Sequence, residues 1–211
     1  MPKLIGDSLA THREQVRERV FTALREQLYQ RGFEAVTLSG VAAAAGVGRS
    51  AMYNHFPDRQ ALLVAFVEDE AARYVADLDA ALAGASCPPD RLAVFARLQL
   101  HRLAEFHLPP GQALAGALDP QAYRRIAAHA DPIGDRLVAI LRAGAADGSM
   151  VDEDPAVLAA LVSSALSSRR IVDVAPAELD ATVRTAVRAV LRMVTPAGGS
   201  PDERTSTTGA D

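Results

Sequence analysis

The 211-residue sequence predicts an all-α protein, in which an N-terminal three-helix unit built on a helix-turn-helix is joined by a long helix to a larger helical domain. Two observations predict this. Apolar residues recur at spacings of three and four almost throughout, and no run alternates with period two for long enough to make a strand. Glycines and prolines cut the pattern into segments of helical length, two of the early ones much shorter than the rest.

The first helix is expected near residues 9 to 30, with Val16, Val20, Leu24 and Leu28 on one stripe and Phe21 beside it. Arg13, Glu14, Arg17, Glu18 and Arg25 face elsewhere, and Gly32 ends the helix by adopting positive φ. Thr37 stands where an N-cap belongs, its hydroxyl placed to accept from a backbone N–H one turn on. A short helix follows through Val41 and Ala42 to Ala45; Gly46 and Val47 make a turn; a second short helix runs from about Gly48 to His55 until Pro57 stops it. Helices of two turns cannot bury a core alone. Phe21, Phe33, Val36, Val41, Val47, Met52, Phe56 and Leu62 are therefore expected to form a core shared with the first and fourth helices.

Asp58 can cap that fourth helix, which runs to about Ala83 and measures ~39 Å at the helical rise. After a break at residues 84 to 89, Asp90 caps a helix through Phe106, and Pro109-Pro110-Gly111 breaks again. Less regular helical pieces are expected over 112 to 129, then a clearer helix from Asp131 to Asp147 with Ile133, Leu137, Ile140 and Leu141 as its stripe. Two strong helices, about 153 to 170 and 177 to 194, close the fold. Residues 196 to 211 are rich in Gly, Pro, Ser and Thr, carry no large apolar side chain, and read as a disordered tail. The expected domains are residues 1–60, residues 61–195 and that tail.

Composition narrows the function. With 49% hydrophobic and 23% charged residues the chain can bury a core, and nothing reaches the ~18 consecutive apolar residues of a membrane helix. No secretory signal is recognisable at Met1-Pro2-Lys3-Leu4, so a cytoplasmic protein is expected, with no membrane partner. Cys87 is the single cysteine, which excludes an internal disulfide and any multi-cysteine metal site. Net charge is −4, against wholesale coating of nucleic acid. The charge is polarised: residues 1–60 hold eight basic and six acidic side chains, and the remainder holds 14 and 20.

Short helix, glycine-containing turn, short helix is the helix-turn-helix arrangement, in which the second helix enters the DNA major groove. Spacing alone also fits an ordinary helical hairpin. On the second helix Gly48, Arg49, Ser50, Tyr53, Asn54 and His55 are small or hydrogen-bonding, the types that approach phosphates and base edges.

The run Thr37-Leu38-Ser39-Gly40-Val41-Ala42-Ala43-Ala44-Ala45-Gly46-Val47-Gly48-Arg49-Ser50-Ala51-Met52-Tyr53-Asn54-His55-Phe56, followed by Asp58-Arg59-Gln60-Ala61-Leu62-Leu63, closely resembles the DNA-binding domain of the tetracycline-repressor (TetR) family. Gly32-Phe33, Thr37, Ala45-Gly46-Val47, the Tyr-x-His-Phe box at 53 to 56 and Leu62-Leu63 carry the resemblance over about residues 10 to 65. It implies a homodimeric transcriptional regulator, a repressor that binds a palindromic double-stranded DNA operator and is released by a small-molecule effector. Thr37, Tyr53 and His55 would contact phosphates; Arg59 stands where the family usually has lysine and can still clamp a phosphate. Base reading would fall to Arg49, whose guanidinium matches the O6 and N7 edge of guanine, with Ser50, Gly48 and Asn54 as lesser candidates. Tyr53 can also be half in the core, His55 can simply end its helix, and Arg49 can be a solvated charge. Leu38 departs from the usual threonine or serine, and Ser50 from a common glycine.

In the larger domain, Leu158, Leu161, Val162, Ala165, Val183, Val187 and Val190 lie on the apolar faces of the last two helices. The resemblance implies that these helices pair across a two-fold axis, and two reading heads gain by gripping two half-sites. It further implies an effector pocket among the middle helices, for which Phe95, Gln99, His101, Leu103, Phe106, Tyr123 and Ser163 are candidate lining residues. No Gly-x-Ser-x-Gly elbow, phosphate loop or paired His/Cys cluster suggests an enzyme or a cofactor, and His101 and His107 do not share a helix face as a metal pair would. The competing reading is a helical ligand- or protein-binding module without sequence-specific DNA binding.

Overall fold

The computed structural model describes residues 3–105, 118–128 and 131–196, and its described elements are all helical. In chain order these are α1 (Lys3–Arg31), a single 3₁₀ turn (Phe33–Ala35), α2 (Leu38–Ala44), α3 (Arg49–His55), α4 (Arg59–Ala83) and α5 (Pro88–Glu105). They continue with α6 (Pro120–Ala128), α7 (Asp131–Asp147), α8 (Pro155–Leu166), α9 (Arg169–Val172) and α10 (Pro176–Val194). The expected tail from 197 onward, and residues 106–117 with Phe106 and His107, lie outside the described residues.

Boundaries differ from the sequence expectation where local signals mislead. α1 begins about six residues earlier, because Gly6 weakens a helix without breaking it. α5 starts at Pro88 rather than being capped by Asp90, since proline at a helix start lacks only an N–H that would have no helical partner there. The helix expected over 153 to 170 stops at Leu166 and resumes as the four-residue α9. Ser164 and Ser167 hydroxyls donate back to the carbonyls of Ala160 and Ser163 at 2.8 and 2.7 Å, the local competition by which serine weakens a helix.

The chain divides into two compact units, Met1–Val75 with Glu105–Asp131, and Ala76–Ala104 with Pro132–Asp211, so the division falls inside α4 rather than at its start. In the first unit seven of the eight expected core residues, Phe21, Val36, Val41, Val47, Met52, Phe56 and Leu62, are buried, with Val16, Val20, Leu24, Leu28 and Phe66; the side chain of Phe33 lies outside what the structure describes. Phe21 is its centre, with ring centroids 6.0 Å from Phe56 and 5.5 Å from Phe66, the latter edge-on. Leu118 and Ala122 of the α6 segment join the same cluster, with Tyr123 and Ile126 packed against it. The backbone N–H of Asp119 donates to Gln60 Oε1 at 3.0 Å, and Arg125 pairs with Glu68.

Ion pairs align α1 on α4. Arg17 meets Asp69 at 3.1 Å, Arg25 pairs with the buried Glu70, and Arg73 reaches both Asp69, at 2.9 Å, and Glu18. Desolvation lowers the Arg73 pKa, but attraction to Asp69 and Glu18 outweighs it and the net shift is upward. The second unit has its own core, with Leu78, Leu92, Leu100, Leu137, Leu141 and Leu166 fully enclosed. Gly144 is required there: a Cβ would come within 2.5 Å of the Met150 side chain.

Candidate nucleic-acid interface

The helix-turn-helix is fixed by caps and one turn. Thr37 is extended at φ −125° and ψ 148°, and its Oγ1 accepts from the Gly40 N–H at 3.1 Å, so α2 starts where the sequence places it. That capping uses an oxygen lone pair, and the same hydroxyl lies 3.5 Å from the Ser39 hydroxyl, a pair in which either oxygen can donate. The cap also explains the glycine one turn on, because a Cβ at Gly40 would lie 2.9 Å from Thr37 Oγ1. Gly46, at φ +62°, takes the left-handed conformation that turns the chain between α2 and α3. Asp58 Oδ1 accepts from the Ala61 N–H at 2.8 Å and caps α4.

Within α3 only Met52 is buried. Arg49, Ser50, Tyr53 and Asn54 are exposed along it, with Gly48 exposed at its N-cap and Thr37 exposed at the start of α2. Tyr53 is 47% exposed, so it is a surface residue rather than a core one. The Arg49 guanidinium carbon lies 5.8 Å from the centre of the Tyr53 ring, a cation–π contact between residues four apart. His55 and Arg59 are half-buried; the His55 ring lies 6.0 Å from that of Phe56. These side chains all belong to one compact unit, on α2, α3 and the first residue of α4.

Residue-by-residue reading missed what lies between those helices. A cleft of about 200 Å³ opens between α2 and α3, lined by Leu38, Ser39, Ala42, Ala43, Val47, Arg49, Met52 and Tyr53. The four-residue spacing of Ser39 and Ala43, both small and exposed, is its trace in the sequence.

The described residues expected to line an effector pocket belong to both units. Phe95 is 2% exposed in the core of the second unit, while Ser163 is exposed on α8. Gln99, His101 and Leu103 are half-buried on α5, with His101 Nε2 3.9 Å from Asp180 Oδ1. Tyr123 packs against the core of the first unit. Phe106 lies outside the described residues. Of the seven residues expected at a dimer interface, Leu158, Val162, Val183, Val187 and Val190 are instead buried within the second unit of a single chain. Only Leu161, at 53%, and Ala165 are exposed, and the other large apolar side chains exposed on α8 and α10 are Val157 and Met193. α8 is apolar on nearly every side, so periodicity could not separate its inner face from its outer one.

Among the described residues no group of three or more His, Cys, Asp or Glu could hold a metal ion, and no helix is long and apolar enough to cross a membrane.

Residues 20–66 match the family model described as "Bacterial regulatory proteins, tetR family". The chain is 40% identical over 67 residues to the HTH-type transcriptional regulator AlkX of Mycobacterium tuberculosis, a match spanning 32% of this chain and 32% of that relative. A protein from Saccharomonospora viridis, solved in complex with choline, superposes with a TM-score of 0.71 at 16% identity, covering 86% of this chain and 98% of that one. The transcriptional regulator FadR from Bacillus subtilis, solved in complex with stearoyl-CoA, gives a TM-score of 0.66 at 14% identity, covering 86% and 99%.

Proposed function

We propose that this chain, whose residues 20–66 match the model of the tetR family of bacterial regulatory proteins, is a transcriptional regulator of that family with a helix-turn-helix DNA-binding domain, and that it is a repressor. It binds a palindromic operator as a homodimer, works in the cytoplasm and leaves the DNA when a small molecule binds; it is not an enzyme. The observation that carries this reading is α3, a two-turn helix with one buried side chain and a solvent face of Arg49, Ser50, Tyr53 and Asn54. Small and hydrogen-bonding side chains on that face suit close approach to phosphates and base edges.

The roles divide by chemistry. Thr37, Tyr53, His55 and Arg59 donate to backbone phosphates and set the register of the protein on the duplex. Arg49 reads guanine, with Gly48, Ser50 and Asn54 at neighbouring base edges. The exposed apolar side chains Val157, Leu161 and Met193 support an interface between copies on the last long helices. Capture of choline and of stearoyl-CoA by two structural neighbours supports an effector site in the helical domain. An effector can act only by binding the DNA-competent and released states unequally.

The test is fluorescence anisotropy against the DNA beside the chain's own gene, at fixed salt. The expected result is binding at least ~10³-fold tighter than to random DNA, the lower end for specific recognition. Equal affinity for both would leave a helical ligand- or protein-binding module in its place.

A further inference from the structure

We propose that the cleft between α2 and α3 is a receptor for the 5-methyl edge of a thymine in duplex DNA, read beside the guanine taken by Arg49. The proposal rests on the reading of α3 as the helix that enters the major groove, and adds a second base to it. Leu38, Ala42, Ala43, Val47 and Met52 give the cleft apolar walls, and at about 200 Å³ it is smaller than the ~300–1,000 Å³ of small-molecule sites. Ser39, Arg49 and Tyr53 complete its lining and are exposed, so it opens onto the solvent face of α3 that the proposed function turns toward the duplex. In the major groove the one apolar group on a base edge is the thymine methyl. Water in such a cleft finds few partners, so a methyl that displaces it gains affinity.

Tyr53 links the two readings. Its ring lies 5.8 Å from the Arg49 guanidinium and also lines the cleft, so one aromatic side chain orients the guanine reader and bounds the thymine site. Among the described residues no carboxylate pairs with Arg49, so the tyrosine ring is what orders it before DNA arrives. Tyr53 is in this respect a positioning residue, and the relevant part is its ring rather than its hydroxyl.

The experiment starts from duplexes selected by the full chain from a random library. In one selected duplex each thymine is replaced in turn by deoxyuridine, which pairs identically but lacks the methyl. Affinities are measured by competition anisotropy at constant salt. One thymine in each half-site is expected to lose roughly fourfold on replacement, the scale of one buried methyl group. It should adjoin the guanine whose preference disappears in Arg49→Ala. Ala43→Leu, at an exposed helical position where the larger side chain is tolerated, fills the cleft and should bind thymine and deoxyuridine duplexes equally, with an unchanged melting temperature. Tyr53→Phe should bind more weakly but keep the thymine-to-deoxyuridine ratio and the guanine preference, whereas Tyr53→Ala should lose both. If binding is sequence-specific but every deoxyuridine is tolerated, or if Ala43→Leu keeps the methyl dependence, the thymine receptor is refuted while the regulator stands. If the library yields no enriched sequence, the regulator reading itself falls, and this proposal with it.

Discussion

Truncating Phe21 to alanine is the most direct test of what holds α3 in place. Its side chain is 1% exposed, faces Phe56 just after α3 and Phe66 in α4, and carries the Arg17 guanidinium 5.0 Å above its ring. Removing the ring forfeits about 2–3 kcal/mol of transfer free energy. The residual cavity and the two lost ring pairs add about 1–2 kcal/mol. The total is about 4 kcal/mol, inside the usual range for a buried Phe→Ala change and a large part of a domain's 5–15 kcal/mol. That is about a thousandfold in the folding equilibrium. Urea denaturation followed by circular dichroism would read it as a lower midpoint at an unchanged slope. Phe21→Leu, which keeps most of the volume, should lose less than half as much. A Phe21→Ala loss below about 1.5 kcal/mol, or equal losses in the two variants, would show that this ring does not organise the core.

Three further outcomes follow from the same geometry. Gly46→Ala places a Cβ on a residue at φ +62° and should cost about 1–2 kcal/mol, seen as a lower melting temperature together with weaker DNA binding. Arg25→Ala takes the guanidinium from the buried Glu70 and should destabilise by about 2 kcal/mol, less than for a fully buried pair because Arg25 itself is 43% exposed; adding Glu70→Gln should recover part of the loss in the same melts. Arg136 donates to Asp79 at 2.6 Å, and this hydrogen bond holds the Asp79 carboxyl below the ordinary carboxylate range. The stability it contributes is therefore present above pH ~3.9 and lost as pH falls through the lower folded value. Wild type and Asp79→Asn should differ in melting temperature at pH 7 and converge in strong acid, whereas a constant gap across that range would show that the pair does not act through charge.

The N-terminal unit was legible because its signals are local and agree with one another. Thr37 as cap, Gly46 as turn and the stripe from Val16 to Leu28 each specify the same geometry, and the structure realises all three. The exposed positions of α3 followed from period alone, once Met52 and Phe56 were assigned inward. The interruption after Leu166 was hidden because it involves neither glycine nor proline, only the Ser164 and Ser167 hydroxyls that bond back to the helix. The cleft was hidden because a void belongs to two helices at once and leaves only the small size of Ser39 and Ala43 in the sequence. Inward and outward faces of α8 could not be separated while nearly every residue of it is apolar.

The least legible feature has the widest consequence. Leu118 and Ala122 lie more than fifty residues beyond Leu62 and Leu63 yet are buried in the same cluster, and no local periodicity announces such a pairing. Because Phe21, Phe56, Leu62 and Leu118 share one apolar core, the footing of α3 includes a segment outside the contiguous helix-turn-helix. Close-packed cores do not deform continuously, so displacing that segment would have to be met by repacking around α4. The polar contacts point the same way, with the Asp119 N–H held by Gln60 and Arg125 by Glu68, both partners on α4. A small shift of α6 is thus opposed by buried apolar surface, a hydrogen bond and an ion pair together. Only a ligand whose affinity for two arrangements of this segment differs by several kcal/mol could reverse their populations. That sets the demand on any such ligand: what matters is the difference between its affinities for the two arrangements, and tight binding alone would leave α3 where it is.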